Sequence, residues 1–350
     1  MDRRNFIKKS SILAGALLPN ILLAKDNSNK YHFIMPKKPF KFYIKKGKLP
    51  GKRVLIIGGI HGNEEGGYKT SNILLDTEID RGVLAILPRS NPESIFTDMR
   101  GYNGDMNRKF NHLSKKDSDY YKIDAIKDFI AEFKPDVILS LHDGYGFFAK
   151  NHRDWGESIV IDENEYKGIN LYQSAKYVSD YLKQKGFNIP IHNTRTFEKT
   201  THHKEQRKSL TYYALESHKI PAFCIEASKQ TTLKRKIQIH LLAIEKFLEI
   251  YGMNIKPSFN YLMANLDKYL IQKPTQVAIY VNNQKTIISN HTILKIPKKE
   301  IRFEILNNRA GGIISRGINV NYKSFFYRHN SIKFKVKNDS KTEYSFIIKV

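Results

Sequence analysis

The chain has 350 residues, 41% of them hydrophobic, which suffices for one large domain and a smaller module. Lys and Arg number 59 against 34 Asp and Glu, a formal charge of +25 that favours anionic surfaces. The lysines are spread along the whole chain with no compact basic run and no nucleic-acid fold signature, so no nucleic acid partner is expected. The single cysteine, Cys224, excludes an intramolecular disulfide and a cysteine-built metal site, so any metal must be held by His, Asp or Glu.

Residues 1–25 read as a targeting segment. Asp2-Arg3-Arg4-Asn5-Phe6-Ile7-Lys8 precedes a short apolar stretch from Ser11 to Ala24, interrupted by Pro19, and the pattern resembles a twin-arginine export signal. It places the body of the protein in the periplasm, without stable membrane insertion if the signal is cleaved. Leu22-Leu23-Ala24 is a poor cleavage site, so a short membrane anchor is the other reading. No later stretch is apolar enough to span a bilayer.

The next region, 26–255, alternates apolar runs with helical spacing. Runs at 53–58, 82–88, 135–141 and 222–226 suit strands buried on both faces. Helical patterns fall at 65–75, 120–133, 168–185, 209–218 and 232–251. The alternation predicts an α/β domain with a mostly parallel or mixed sheet flanked by helices. From 256 to 350 the runs are short and alternating, at 276–281, 285–288, 300–305, 332–336 and 344–350. They predict a small all-β domain, a sandwich or barrel, with hairpin turns at Asn282-Asn283, Asn307-Asn308 and Gly311-Gly312.

Directly after the first strand stands Ile60-His61-Gly62-Asn63-Glu64. A His-x-x-Glu pair where a strand gives way to a helix can offer zinc an imidazole nitrogen and a carboxylate. The composition alone yields roughly one such pair by chance, and His202 with Glu205 is a decoy in a lysine-rich stretch with no strand before it. Two further polar residues raise the first pair above chance. His142 ends a second buried strand, and Glu226 sits inside the apolar run Ala222-Phe-Cys-Ile-Glu226. Strands of an open α/β sheet converge at their carboxyl ends, so His61, His142 and Glu226 are expected at one edge. A carboxylate in a buried strand needs a cation or a catalytic reason. Between these segments a loop carries Arg100, Asn107 and Arg108, donors suited to a carboxylate ligand. Asp143 either orients an imidazole or shapes a turn. Cys224 shares a strand face with Glu226.

The ordered set His61-x-x-Glu64, Arg100, Asn107-Arg108, His142 and Glu226 resembles the M14 zinc carboxypeptidases and their aspartoacylase and succinylglutamate desuccinylase relatives. The segment Leu-His-Asp-Gly-Tyr-Gly-Phe at 141–147, Arg153-Asp-Trp155-Gly156 and Ser209-Leu-Thr-Tyr-Tyr-Ala-Leu are most similar to the murein D,L-carboxypeptidases that set helical cell shape. The resemblance implies that His61, Glu64 and His142 ligate Zn2+ and that Glu226 is the general base and then acid. It implies that Arg100 stabilises the oxyanion and that Asn107 and Arg108 grip the substrate's terminal carboxylate. Tyr145, Tyr212 and Tyr213 are candidates for a tyrosine near the leaving group, Tyr145 also as a substrate contact.

The implied reaction is removal of terminal diaminopimelate from a peptidoglycan stem peptide. Two other readings stand beside it: an N-acyl amino-acid deacylase, and a non-catalytic wall-binding protein that retains the fold. The oligomeric state stays open at this point.

Overall fold

A computed structural model of the chain describes residues 40–296, 300–315, 319–321 and 331–349, with backbone alone at 33–34, 318 and 324–326. The export segment expected at 1–25 lies outside the described residues. The apolar runs form one seven-stranded sheet. In chain order its strands are β1 (Tyr43–Lys46), β2 (Leu49–Gly58), β3 (Arg81–Leu87), β4 (Val137–Gly144), β5 (Ser158–Ile161), β6 (Ile191–Asn193) and β7 (Ala222–Ser228). Across the sheet they lie in the order β6-β5-β7-β4-β2-β3-β1. Neighbours are parallel except for β5 against β7 and β1 against β3, so the sheet is mixed.

The five longer helices start within three residues of where the spacing predicts them, two of them at the predicted residue: α1 (Glu65–Ile73), α2 (Tyr120–Phe133), α3 (Leu171–Gln184), α4 (Leu210–His218) and α5 (Leu233–Ile250). Side-chain caps set three of these starts. Asn170, Ser209 and Thr232 each accept a backbone N–H from inside the first turn of α3, α4 and α5. Helices cover both faces of the sheet, which is why the strands read as continuous apolar runs. In β2, Val54 and Ile56 enter the core beneath α1, α3 and α5, whereas Leu55 and Ile57 enter the core beneath α2 and α4. Each such side chain is fully buried, worth roughly 1.5–3 kcal/mol relative to exposure.

The boundary expected at residue 255 moves towards the C-terminus. The short helices Phe259–Ala264 and Leu266–Leu270 follow it, and Phe259, Leu262 and Leu266 bury their side chains in the α/β core. The all-β domain begins with the strand Val277–Val281 and, with one strand from the N-terminal side, forms two five-stranded sheets of the described residues around one apolar core. It is a sandwich. Asn282 and Asn283 both take positive φ, 48° and 63°, in a tight hairpin turn. Gly311 and Gly312, expected in a turn, instead open the strand Gly311–Ser315. The reason is close approach: a Cβ on Gly312 would lie 2.4 Å from the Phe96 ring of the α/β domain. Asn307 and Asn308 lead from a strand of one sheet into a strand of the other, so they form no hairpin. A short N-terminal strand, Phe33–Ile34, pairs antiparallel with Ser324–Phe326 and ties the start of the chain to this domain.

Candidate metal centre and cleft

Register delivers the site. In the parallel pair β7 and β4, Glu226 stands opposite His142, and the carboxyl end of β2 lies beside β4, three residues before His61. His61 Nδ1 lies 2.9 Å from Glu64 Oε1, His142 Nδ1 lies 2.8 Å from Glu64 Oε2, and the two Nδ1 atoms are 3.2 Å apart. All three side chains are buried. Their ligand atoms fall within 4.8 Å of one another, and among the described residues no other group of three such side chains does so.

The outer nitrogens decide what the inner ones can do. His61 Nε2 lies 2.9 Å from Asp105 Oδ1, and His142 Nε2 lies 2.9 Å from Ser140 Oγ. A proton held at each Nε2 leaves each Nδ1 with a lone pair aimed at the same point. Two such lone pairs cannot face each other at 3.2 Å without a proton or a cation between them. Two imidazoles and a carboxylate are the donor set of a divalent ion of borderline softness, so the residues fit the metal that the sequence implies. Without such an ion the charges settle among the side chains. Burial opposes a charge on His61, but Glu64 and Asp105 outweigh it and raise its pKa, whereas burial lowers that of His142. Burial also disfavours the Glu64 carboxylate, yet the two histidines hold its pKa well below the ordinary range.

Glu226 is different. It is 7% exposed, its Oε1 accepts from Cys224 Sγ at 3.3 Å, and its Oε2 is buried with no hydrogen-bond partner. Burial first, and the Glu64 charge second, push its carboxyl up to about 8. A carboxyl oxygen without a partner, beside a metal-type donor set, can take up and return a proton.

His61, Glu64, Arg100, Asn107, Arg108, His142, Tyr145 and Glu226 all line one cleft of about 190 Å³. Arg100 is held by Asp105, at 3.0 Å, and by Glu64, at 3.2 Å. Asn107 Oδ1 accepts from the backbone N–H of Leu210, which leaves its amide N–H groups as the donors on offer. Arg108 donates to the Asn107 carbonyl oxygen. Tyr145 is 65% exposed at the rim. Tyr212 and Tyr213 lie outside the cleft lining: Tyr212 stacks on Phe197, and the Tyr213 hydroxyl is 2.9 Å from His218 Nε2. His202 and Glu205 also lie outside it, and Glu205 pairs with Lys208 on the surface.

The Asp143 side chain orients neither metal-facing imidazole. It accepts from Gly66 N at 2.8 Å and lies 3.2 Å from His240 Nε2, tying the start of α1 to α5. Two residues of the site escaped the sequence reading. Asp105 lies between Arg100 and Asn107, in the loop whose donors suit a carboxylate ligand. Lys229 lies three residues after Glu226, with Nζ 3.5 Å from Glu64 Oε1. Position at the end of a converging strand was the available signal.

Comparisons place this geometry in a family. The family described as the catalytic domain of carboxypeptidases controlling helical cell shape matches residues 32–294. No curated protein matches the chain. Among solved structures, the apo and tripeptide-bound forms of the cell shape determinant Csd4 from Helicobacter pylori share the fold. Each has a TM-score of 0.60 and 20% identity over 89% of this chain and 99% of that one. The mDAP-bound form of Csd4, a D,L-carboxypeptidase, gives 0.59 and 20% identity over 88% and 99%. The match over three quarters of the sequence, with a buried His-Glu-His group at the sheet's carboxyl edge, means that this chain belongs to the family of carboxypeptidases controlling helical cell shape.

Proposed function

We propose that the chain is a zinc-dependent D,L-carboxypeptidase. In this reading it removes terminal diaminopimelate from the L-Ala-γ-D-Glu-meso-diaminopimelate stem of peptidoglycan and works in the periplasm after twin-arginine export. The observation that carries the reading is Glu226, a buried carboxyl with one free oxygen beside His61, Glu64 and His142. Structures of Csd4 with mDAP and with tripeptide bound support the stem peptide as the substrate class. The Arg3-Arg4 leader supports export.

His61, Glu64 and His142 would hold the zinc, which when bound supplies Lewis acidity towards the scissile carbonyl. Glu226 takes the proton of the attacking water at Oε2 and delivers it to the departing amine. Its raised proton affinity suits both halves of that transfer. Arg100, anchored through Asp105, presents its guanidinium to the developing oxyanion, a role worth roughly 3 kcal/mol by analogy with other oxyanion donors. Asn107 and Arg108 take the terminal carboxylate through paired N–H donors. Tyr145 closes the rim over the bound peptide.

Incubating the purified protein with tripeptide muropeptides tests the reading, with dipeptide stems and free diaminopimelate as the expected products. Glu226→Gln should retain its metal and lose roughly 10²–10⁴-fold in rate. An unchanged rate in that variant would remove Glu226 from the mechanism. Hydrolysis of N-acyl amino acids in place of the tripeptide would replace this reading with the deacylase one. Fractionation of cells carrying Arg3→Lys with Arg4→Lys tests export, the expected result being retention in the cytoplasm.

A further inference from the structure

Lys229 is a cation in the cleft that the mechanism above leaves without a role. Its side chain is only 12% exposed, with Nζ 3.2 Å from Asn63 Oδ1, 3.5 Å from Glu64 Oε1 and 4.6 Å from the centre of the Tyr145 ring. Its backbone N–H donates to Gly144 O at 2.8 Å, which fixes the start of the side chain against the end of β4. Taking an ammonium this far from water is unfavourable without an anionic partner. The one carboxylate in reach, Glu64, is already shared by two imidazoles and Arg100. Arg108 occupies a different station, against Asn107 and in the field of Asp162. Besides Arg100, the cleft therefore holds two separate cationic stations, and a terminal carboxylate uses one of them.

Substrate chemistry supplies the second anion. In a γ-linked glutamyl peptide the scissile carbonyl belongs to the glutamate side chain, so the α-carboxylate of that residue stays free on the acyl side, a few carbons from the reacting centre. Glu64 and Asp143 would repel it. We propose that Lys229 is a specificity-determining residue that binds this α-carboxylate, so that the enzyme favours a γ-glutamyl acid over its α-amidated counterpart. The inference rests on the stem tripeptide being the substrate.

The test compares kcat and KM for L-Ala-γ-D-Glu-meso-diaminopimelate and for the same peptide carrying an amide at the glutamate α-position, using the wild-type holoenzyme and Lys229→Met. The wild type should favour the acid by roughly ten- to a hundredfold in kcat/KM, expressed mainly in KM, as expected for one charge-assisted contact. In Lys229→Met the ratio should collapse to about one with the bound-metal content retained. Equal efficiency of the wild type on the two peptides overturns the inference while leaving the functional reading intact, and it needs no variant to fold. A loss of the same factor on both peptides, or a loss of metal, also overturns it, because Lys229 would then be a structural support of the centre. Cleavage of neither peptide brings down the functional reading and this inference together.

Discussion

The chemistry of the centre turns on which nitrogen of each histidine carries the proton, and that is decided outside the donor set. Asp105 accepts from His61 Nε2, and His61, followed by Arg100, holds its pKa below the usual carboxylate range although burial works the other way. Removing this partner frees the ring to choose the wrong tautomer. Asp105→Ala is expected to weaken metal binding by roughly 10–100-fold, read by competition with a chromophoric chelator. Full removal of metal by chelation should abolish tripeptide hydrolysis, and added zinc should restore it. Failure of zinc to restore activity to folded apoprotein would exclude it as the working ion.

At the level of elements, the site depends on α1 lying hard against the end of β4. Asp143 holds the first turn of α1 from one side, through Gly66 N, and reaches α5 through His240 and Lys236. Gly67 provides the clearance. A Cβ there would lie 2.5 Å from Leu141 O, a backbone atom of a central strand that cannot yield. Gly67→Ala is therefore expected to destabilise the fold by roughly 1–3 kcal/mol, measured by urea denaturation, and to weaken metal binding because Glu64 stands at the start of α1. An alanine variant with unchanged stability and metal affinity would show that α1 can shift without disturbing Glu64.

The two domains are joined by a charged seam, and a cavity of about 400 Å³ opens there, away from the metal centre. Three of its cations pair with its two carboxylates. Asp339, in a turn of the β-domain and 4% exposed, pairs with Lys69 at 3.0 Å and with Arg89 at 2.9 Å, both from the α/β domain. Arg309 pairs with Asp76, and the Lys337 ammonium donates to the Phe96 carbonyl. Burial alone would raise the Asp339 pKa, but Arg89 and Lys69 lower it below 3.8. A depressed folded-state pKa means that the stabilisation is complete above the unfolded value and is lost as pH falls through the lower folded value. Wild-type thermal stability should therefore drop more steeply than that of Asp339→Asn as the pH is taken from about 5 to about 2. Asp339→Ala at neutral pH should cost about 3 kcal/mol, because two cations lose their buried partner.

Much of this protein was written into its local pattern. Apolar runs too long for one-sided strands demanded a sheet covered on both faces, and chain order then put His61, His142 and Glu226 at strand ends that must converge. That logic needs only backbone direction, so it survives without side-chain coordinates. What packing decided was less local. The helices at 259–264 and 266–270 belong to the α/β core because of where their apolar faces find partners, and no feature of their own spacing says which core that is. Gly311-Gly312 reads as a turn until Phe96, more than two hundred residues away, requires a strand without side chains there. The short run Ser158–Ile161 enters the sheet antiparallel to β7, a choice that four residues cannot encode. Asp105 and Lys229 gained their places from loop conformations that bring distant polar atoms within 3.5 Å of His61 and Glu64, and such distances exist only once the whole chain has closed around them.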